Sequence, residues 1–281
     1  MISETRMAAP ASENWTAPLL ADPHHVPDKA DRVNRMFTAI APSYDLNNRL
    51  HSLGLDQHWR RVAVKMAEVR PADRIVDVAC GTGDLTLKFA RALWDRRAFP
   101  PGHVYGIDFT YAMLPIAEHK AAQRLAPGRS DPKSTYLAHS ISYLQGDALC
   151  LPLPDASADI LSIAFGIRNV ADWGAAIAEF ARVLKPGGRL VILEFSLPAN
   201  PLLRGLYNFY FRRIMPYTAT LISGDRTGAY KYLPESVNTF ISRAAMAQRM
   251  QTAGLESIQV RPLTFGICVC YVGTKRHPGS P

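Results

Sequence analysis

The chain has 281 residues, 48% of them hydrophobic and 20% charged, with a net charge of +8 and a pI near 9.4. That balance excludes a disordered or fibrous protein and admits one large α/β core. No apolar run approaches the roughly 18 residues of a membrane span, and MISETRMAAPASENW lacks the apolar segment of a signal peptide, so the chain is expected to be cytoplasmic.

Cysteines 80, 150, 268 and 270 lie in apolar, strand-like runs without disulfide or zinc spacing, and are expected to be reduced. The basic excess would suit nucleic acid or an anionic membrane surface. Its scattered pairs, such as Arg60-Arg61 and Arg212-Arg213, do not choose between them.

Residues 1–28 hold Pro10, Pro18, Pro23 and Pro27 with few periodic apolar positions, which predicts a mobile tail. His24-His25 are then expected to be solvated, and no metal-ligand set stands out in the chain. From Lys29 the character changes. Val33, Met36, Phe37 and Ile40 form one helical stripe, and Trp59, Val62, Ala63 and Met66 another. Between them lie Tyr44, Asp45, Asn47, Asn48, Ser52 and His58. So many polar side chains between amphipathic helices suggest that residues 29–68 form a helical lid over the ligand edge of a sheet.

The stretch IVDVACGTGDL, Ile75 to Leu85, reads as a buried strand, a tight turn and a helix start. Gly81 and Gly83 would let the backbone approach a ligand closely. A dinucleotide fingerprint would need a third glycine where Thr86 stands, and no Lys follows to grip phosphate. A nucleoside without pyrophosphate fits that turn, and S-adenosylmethionine is the reading adopted, with its amino acid end over the glycines.

A second strand, HVYGID, ends in Asp108, where an acid holds a ribose in Rossmann-like folds; a helix-capping role is the alternative. Met113 to Leu125 is expected as helix, followed by a polar insertion from Ala126 to His139. ISYLQGDA supplies a third strand ending at Asp147-Ala148, placed to meet an adenine amine and ring. ADILSIAFGI makes a fourth, followed by Arg168-Asn169 at its carboxyl end. A helix from Trp173 to Leu184, a turn at Lys185 to Gly188 and the strand RLVILEFS follow.

Residues 197–245 are long for a link and mix aromatics with arginines in LLRGLYNFYFRRIMPYTATLI. Such a segment could stack on nucleic acid, anchor at a membrane interface or cap the core. A helix from Met246 to Ala253 and the hairpin strands SIQVRPL and ICVCYVGTK complete seven strands, with residues 278–281 as a C-terminal tail. The expected fold is α/β: a Rossmann-like, seven-stranded class I S-adenosylmethionine-dependent methyltransferase sheet with a helical N-terminal lid, in one domain over residues 29–277.

MFTAIAPSYDLNN with SLGLDQHWR, DVACGTGDLT, FGIRNV, RVLKPGGRLVILEFS, YKYLPESV and LTFGICVCYVGTK together resemble the ubiquinone/menaquinone biosynthesis C-methyltransferase family, over Val33 to Lys275. The resemblance implies S-adenosylmethionine-dependent methylation of a ring carbon of a polyprenylated quinol, a demethylmenaquinol in the first instance and a ubiquinol precursor (2-methoxy-6-polyprenyl-1,4-benzoquinol) as the alternative. It implies donor contacts from Gly81, Thr82, Gly83, Asp108, Asp147 and Ala148. Arg168 becomes a candidate for stabilising a phenolate, with Tyr44, Asp45 and Tyr230 as partners; its competing role is a structural ion pair with an acid at a strand end. The chain departs from the family pattern at Ala164, where some members carry Ser, and in the approach Ser223 to Gly228.

The expected partners are the quinol and the inner face of the cytoplasmic membrane, contacted peripherally, without nucleic acid; a homodimer is compatible with the sequence. A nucleic-acid methyltransferase is the second reading, but it usually carries Asn/Asp-Pro-Pro-aromatic where Ala164 to Ile167 stand. A non-catalytic partner of quinone enzymes is the third.

Overall fold

A computed structural model describes residues 14–95, 102–125, 140–277 and 279. The polar insertion expected at 126–139 lies outside the described residues, as do residues 1–13 of the N-terminal tail and 278, 280 and 281 of the C-terminal one.

The sheet has seven strands: β1 (Arg74–Val78), β2 (His103–Asp108), β3 (Ile141–Gln145), β4 (Ala158–Ala164), β5 (Leu184–Phe195), β6 (Leu255–Leu263) and β7 (Cys268–Lys275). Their spatial order is β3-β2-β1-β4-β5-β7-β6, with β7 antiparallel to both β5 and β6 and the remaining pairs parallel. The parallel strands are buried and read as continuous apolar runs, since helices cover both faces. Lys185 to Gly188, expected as a turn, bulge out of β5: Ala158 faces Leu184 and Ile160 faces Arg189, with Gly187 at φ 75°.

One face of the sheet is covered by α5 (Asp84–Asp95) and the helix Leu55–Met66; the other carries the helices Trp173–Val183 and Arg243–Thr252. Leu55–Met66 differs from its expected place in a lid. Trp59 and Ala63 are buried with Ile75, Phe89, Val191 and Cys268, and the Trp59 indole donates to Thr264 Oγ1 at 2.8 Å. Its apolar stripe finds more surface on the sheet than above its edge, so only its first two turns, through Leu55, Asp56, Trp59 and Arg60, reach the lid cavity.

What covers the carboxyl edge is a separate small core. It joins the helices Lys29–Ile40 and Tyr44–His51 to the long link, which forms the helices Pro201–Phe209, Met215–Ser223 and Ala229–Asn238. Between the first two of these, Tyr210–Ile214 is a π-helical turn. Pro216 has no N–H for the Arg212 carbonyl and crowds it, which opens the helix there.

Residues 14–28 correct the expected mobile tail. Trp15 is buried, stacks on Tyr232 at 4.3 Å, and its backbone N–H donates to the Thr227 carbonyl. His24 is buried as well, hydrogen-bonded through Nε2 to the Ser236 carbonyl at 3.0 Å, and burial lowers its pKa to about 4. Low periodicity hid this segment because a few isolated anchors, rather than a stripe, hold it in place.

Candidate active site

The glycine turn is built from below by Asp77. Buried at the centre of β1, its carboxylate accepts from Ser162 Oγ of β4 and Thr86 Oγ1 of α5, each at 2.7 Å, and so ties strand, neighbour and helix together. Burial pushes its pKa up to about 6 against those two bonds. An acid in a wholly apolar strand was the available signal for it.

Gly81 has φ 55° and an added Cβ would meet only Tyr44 Cε1, at 3.9 Å, so its backbone lies open to the cavity above. Gly83 is needed for a different reason from the expected one: a Cβ there would fall 2.6 Å from the Tyr143 hydroxyl and 3.1 Å from Ala117 Cβ. Its lack of a side chain lets α5 pack against β3 and the helix Leu114–Leu125, whereas Gly81 faces the open cavity.

Two cavities meet above the sheet. The first is walled by Gly81, Asp108, Asp147, Ala148 and Ala164, among others. Asp108 ends β2 as expected, and its two oxygens accept from the amides of Gly81 at 2.7 Å and Thr110 at 2.8 Å. Burial raises its pKa to about 6, against those two bonds. Each oxygen keeps a lone pair, so the carboxylate can still accept from two vicinal hydroxyls. Thr82 and Gly83 are not part of this wall.

The second cavity lies under the lid and link and is walled mainly by aromatic and aliphatic side chains, among them Ile40, Trp59, Phe195, Phe211, Met215 and Leu233. Phe37, Tyr44 and Phe165 belong to both cavities and form the partition. Phe165 holds a left-handed backbone at φ 59°, a conformation costing on the order of 1–3 kcal/mol, and its N–H donates to the Leu193 carbonyl at 2.7 Å.

The expected cluster around Arg168 is rearranged. Arg168 does line the second cavity, but its guanidinium is committed to Glu194 Oε1 at 2.6 Å, the Phe165 carbonyl at 2.8 Å and Ser236 Oγ at 3.3 Å. Both partners of the ion pair are buried. This is the structural pairing, with the acid at the end of β5; of the expected partners, Tyr44 and Tyr230 share the cavity wall with Arg168 and Asp45 does not. A buried guanidinium requires a counter-charge, and Glu194 supplies it closer than the lid can. Lys29 ties the lid to the same place, donating to the carbonyls of Arg168 at 3.0 Å and Val170 at 2.7 Å.

Asp45 lies apart from Arg168, in a latch between lid and glycine turn. It accepts from Thr82 Oγ1 at 2.6 Å and pairs with Lys120, which also donates to Thr82 Oγ1 and Asp84. Asp84 in turn accepts from Arg49 at 2.6 Å and Gln57 at 3.0 Å. Burial would raise the Asp84 carboxyl, yet Lys120, Arg60 and Arg49 together hold it well below the usual carboxylate range. Tyr230 and Tyr44 do line the second cavity. Sequence reasoning left out Asn47 as a binding group, and His51, Tyr207 and Tyr210 altogether; all four line that cavity, and only the folding of the link over the lid brings them together.

An acid-edged nucleoside cavity over a glycine turn, on a sheet of this strand order, defines a class I S-adenosylmethionine-dependent methyltransferase. In agreement, residues 26–275 match the model of the ubiE/COQ5 methyltransferase family, and the chain belongs to that family. It is 44% identical over 249 residues to the demethylmenaquinone methyltransferase of Deinococcus radiodurans, covering 89% of this chain and 95% of that one. It is 40% identical over 252 residues to the ubiquinone/menaquinone biosynthesis C-methyltransferase of Geobacter sulfurreducens, covering 90% and 91%. Among solved structures, an S-adenosylmethionine-dependent methyltransferase of Thermotoga maritima, described as a possible histamine N-methyltransferase, shares the fold with a TM-score of 0.57 at 20% identity, covering 87% of this chain and 100% of that one.

The cavity residues fit the donor: Asp108 would hold the ribose hydroxyls, Asp147 and the Ala148 amide an adenine edge, and the open backbone at Gly81 the amino acid end. When bound there, S-adenosylmethionine supplies an electrophilic methyl on a sulfonium.

Proposed function

We propose that the protein methylates a ring carbon of a polyprenylated quinol, converting demethylmenaquinol to menaquinol. The observation that carries this reading is the shared wall of Phe37, Tyr44 and Phe165 between a donor cavity edged by Asp108 and a large apolar cavity able to take a flat ring with an isoprenoid tail. Relatives named for demethylmenaquinone and ubiquinone/menaquinone methylation support the substrate class.

The chain's part in the reaction is chiefly positioning. Aromatic walls hold the acceptor flat against the partition, and the Arg168–Glu194 pair stiffens the floor under Phe165 and Phe195, with the guanidinium carbon 5.3 Å from the Phe195 ring centre. Arg168 acts through these neighbours as a positioning residue. Excluding water and fixing both reactants in line can lower a barrier by several kcal/mol, more than the roughly hundredfold to ten-thousandfold gain from a general base. Mass spectrometry of quinones from cells lacking the protein tests the reading. Accumulation of a demethylated naphthoquinone is expected; a demethylated benzoquinone would move the assignment to the ubiquinol precursor, and an unchanged quinone pool would end it.

The lid and the link that wall the second cavity also carry exposed apolar side chains. Leu46, Leu50 and Leu53 of the lid segment are exposed, as are Leu206, Phe209, Tyr217 and Leu221 of the link, and the lid helix packs directly on Met215–Ser223. Arg204, Arg212 and Arg213 are exposed on the same segment. Among the described residues no helix is long and apolar enough to cross a membrane. Apolar side chains flanked by arginines suit shallow insertion into an anionic surface, from which the isoprenoid substrate would enter. The protein is expected to float with anionic vesicles and to lose most of that association on Leu206→Asp with Leu221→Asp; failure of the unaltered protein to bind such vesicles would count against membrane contact.

A further inference from the structure

The apolar cavity holds polar groups that an isoprenoid tail cannot use. Asn47 and His51 stand one turn apart on one face of the lid helix Tyr44–His51, and both line the cavity. Asn47 is buried, its Nδ2 donates to the Ser43 carbonyl at 3.4 Å, and its Oδ1 has no protein partner. The Nδ1 of His51 is hydrogen-bonded to the Tyr210 hydroxyl at 3.0 Å, and its Nε2 is likewise buried without a partner. Buried polar atoms are nearly always satisfied, and this wall holds four orphans, the Tyr207 and Tyr230 hydroxyls with Asn47 Oδ1 and His51 Nε2; the last two share one helix face and call for a ligand that satisfies both.

The orientation of each side chain is set by its other bond. With Nδ2 of Asn47 turned to Ser43, Oδ1 is left as an acceptor. Burial lowers the His51 pKa, which favours the neutral ring. With the Tyr210 hydroxyl donating to Nδ1, the remaining proton sits on Nε2 and makes it a donor. One acceptor and one donor side by side match a hydroxyl, which both gives and takes a hydrogen bond. A carbonyl oxygen would leave Asn47 unpaired.

We infer that Asn47 and His51 form the subsite for the second hydroxyl of the quinol, the one across the ring from the reacting side, and that they select the reduced acceptor over its quinone. The inference rests on the quinol reading above. Placement agrees with it: Tyr44 marks the partition with the donor cavity, and Asn47 and His51 lie three and seven residues further along the same helix, a rise of about 4.5 and 10.5 Å, which sets the subsite back from the partition. No proton is transferred at this subsite; it orients the ring so that the carbon beside the first hydroxyl faces the partition.

The test is a cycle between protein and substrate, run anaerobically on the full chain. Initial rates are measured for unaltered protein, Asn47→Leu and His51→Leu, each with the demethylated naphthoquinol and with its analogue lacking the second hydroxyl; the oxidised quinone is scored as a competitive inhibitor. Turnover of the quinol by the unaltered protein is the control that establishes the acceptor class, and its absence would overturn the functional reading itself. Given that control, each variant is expected to lose about 10- to 100-fold in kcat/KM on the quinol, mostly through KM. On the analogue lacking the hydroxyl the variants should match the unaltered protein within about threefold, and Asn47→Leu should narrow the preference for quinol over quinone. Equal losses on quinol and analogue would reveal a purely structural role and overturn the inference. So would unchanged kcat/KM in both folded variants.

Discussion

Asp108→Ala is expected to abolish measurable binding of S-adenosylmethionine by calorimetry, with the protein still folded. The carboxylate stands at the end of β2 with one lone pair per oxygen unused by the Gly81 and Thr110 amides. Two charge-assisted bonds to ribose hydroxyls at roughly 1.5–3 kcal/mol each correspond to a loss of at least a hundredfold in affinity. Asp108→Asn retains one acceptor oxygen and should fall between. The raised pKa of about 6 adds a second signature. Above that pH the group is an acceptor-only carboxylate; below it one oxygen carries a proton and loses acceptor capacity. Donor affinity should therefore decline as pH falls through about 6 in the unaltered protein and stay flat over that range in Asp108→Asn. Donor binding by Asp108→Ala at the original affinity would remove the acid from the site.

Glu194→Ala should be the most destabilising single change near the site. It strands the Arg168 guanidinium, both residues being buried, and it also removes the acceptor for the Phe195 amide at 2.7 Å. Breaking one side of a buried pair costs about 3–5 kcal/mol, which for a chain of this size lowers Tm by on the order of 10 °C. Burial raises the Glu194 pKa against the pull of Arg168, so the folded state retains part of a desolvation penalty that an apolar replacement would not carry. For that reason the double variant Arg168→Met with Glu194→Leu should recover most of the loss. Scanning calorimetry decides the matter: a Tm within about 1 °C of the original in Glu194→Ala would mean the pair does not hold the strand ends together. In surviving Glu194→Ala protein, KM for the acceptor should rise more than kcat falls, since the disturbed floor lies under Phe165 and Phe195.

The seven strands, their order of appearance, the glycine turn and Asp108 at a strand end were legible because each is written locally. Apolar runs of five to eight residues bounded by Gly, Pro or Asp define strands whether or not their neighbours are known, and an acid closing such a run can point only to the edge of the sheet. Functional partners could not be read this way. Arg168 and Glu194 are separated by 26 residues, His51 and Tyr210 by 159, and each sequence position had several chemically plausible partners. Burial chose between them: a charge leaving water takes the nearest opposite charge, so Arg168 went to Glu194 and Asp45 went to Lys120.

The same holds for the covering of the site. The stripe of Leu55–Met66 was correctly periodic, but periodicity says that a helix has an apolar face and leaves open what that face meets; the sheet took it. Residues 14–28 lacked a stripe and yet became part of the lid through Trp15 and His24. Local pattern thus determines the elements and the donor end of the pocket, where a short turn supplies most of the chemistry. The acceptor end depends on side chains from the lid and the long link converging on one space, and only the packing of those segments over the sheet brings them there.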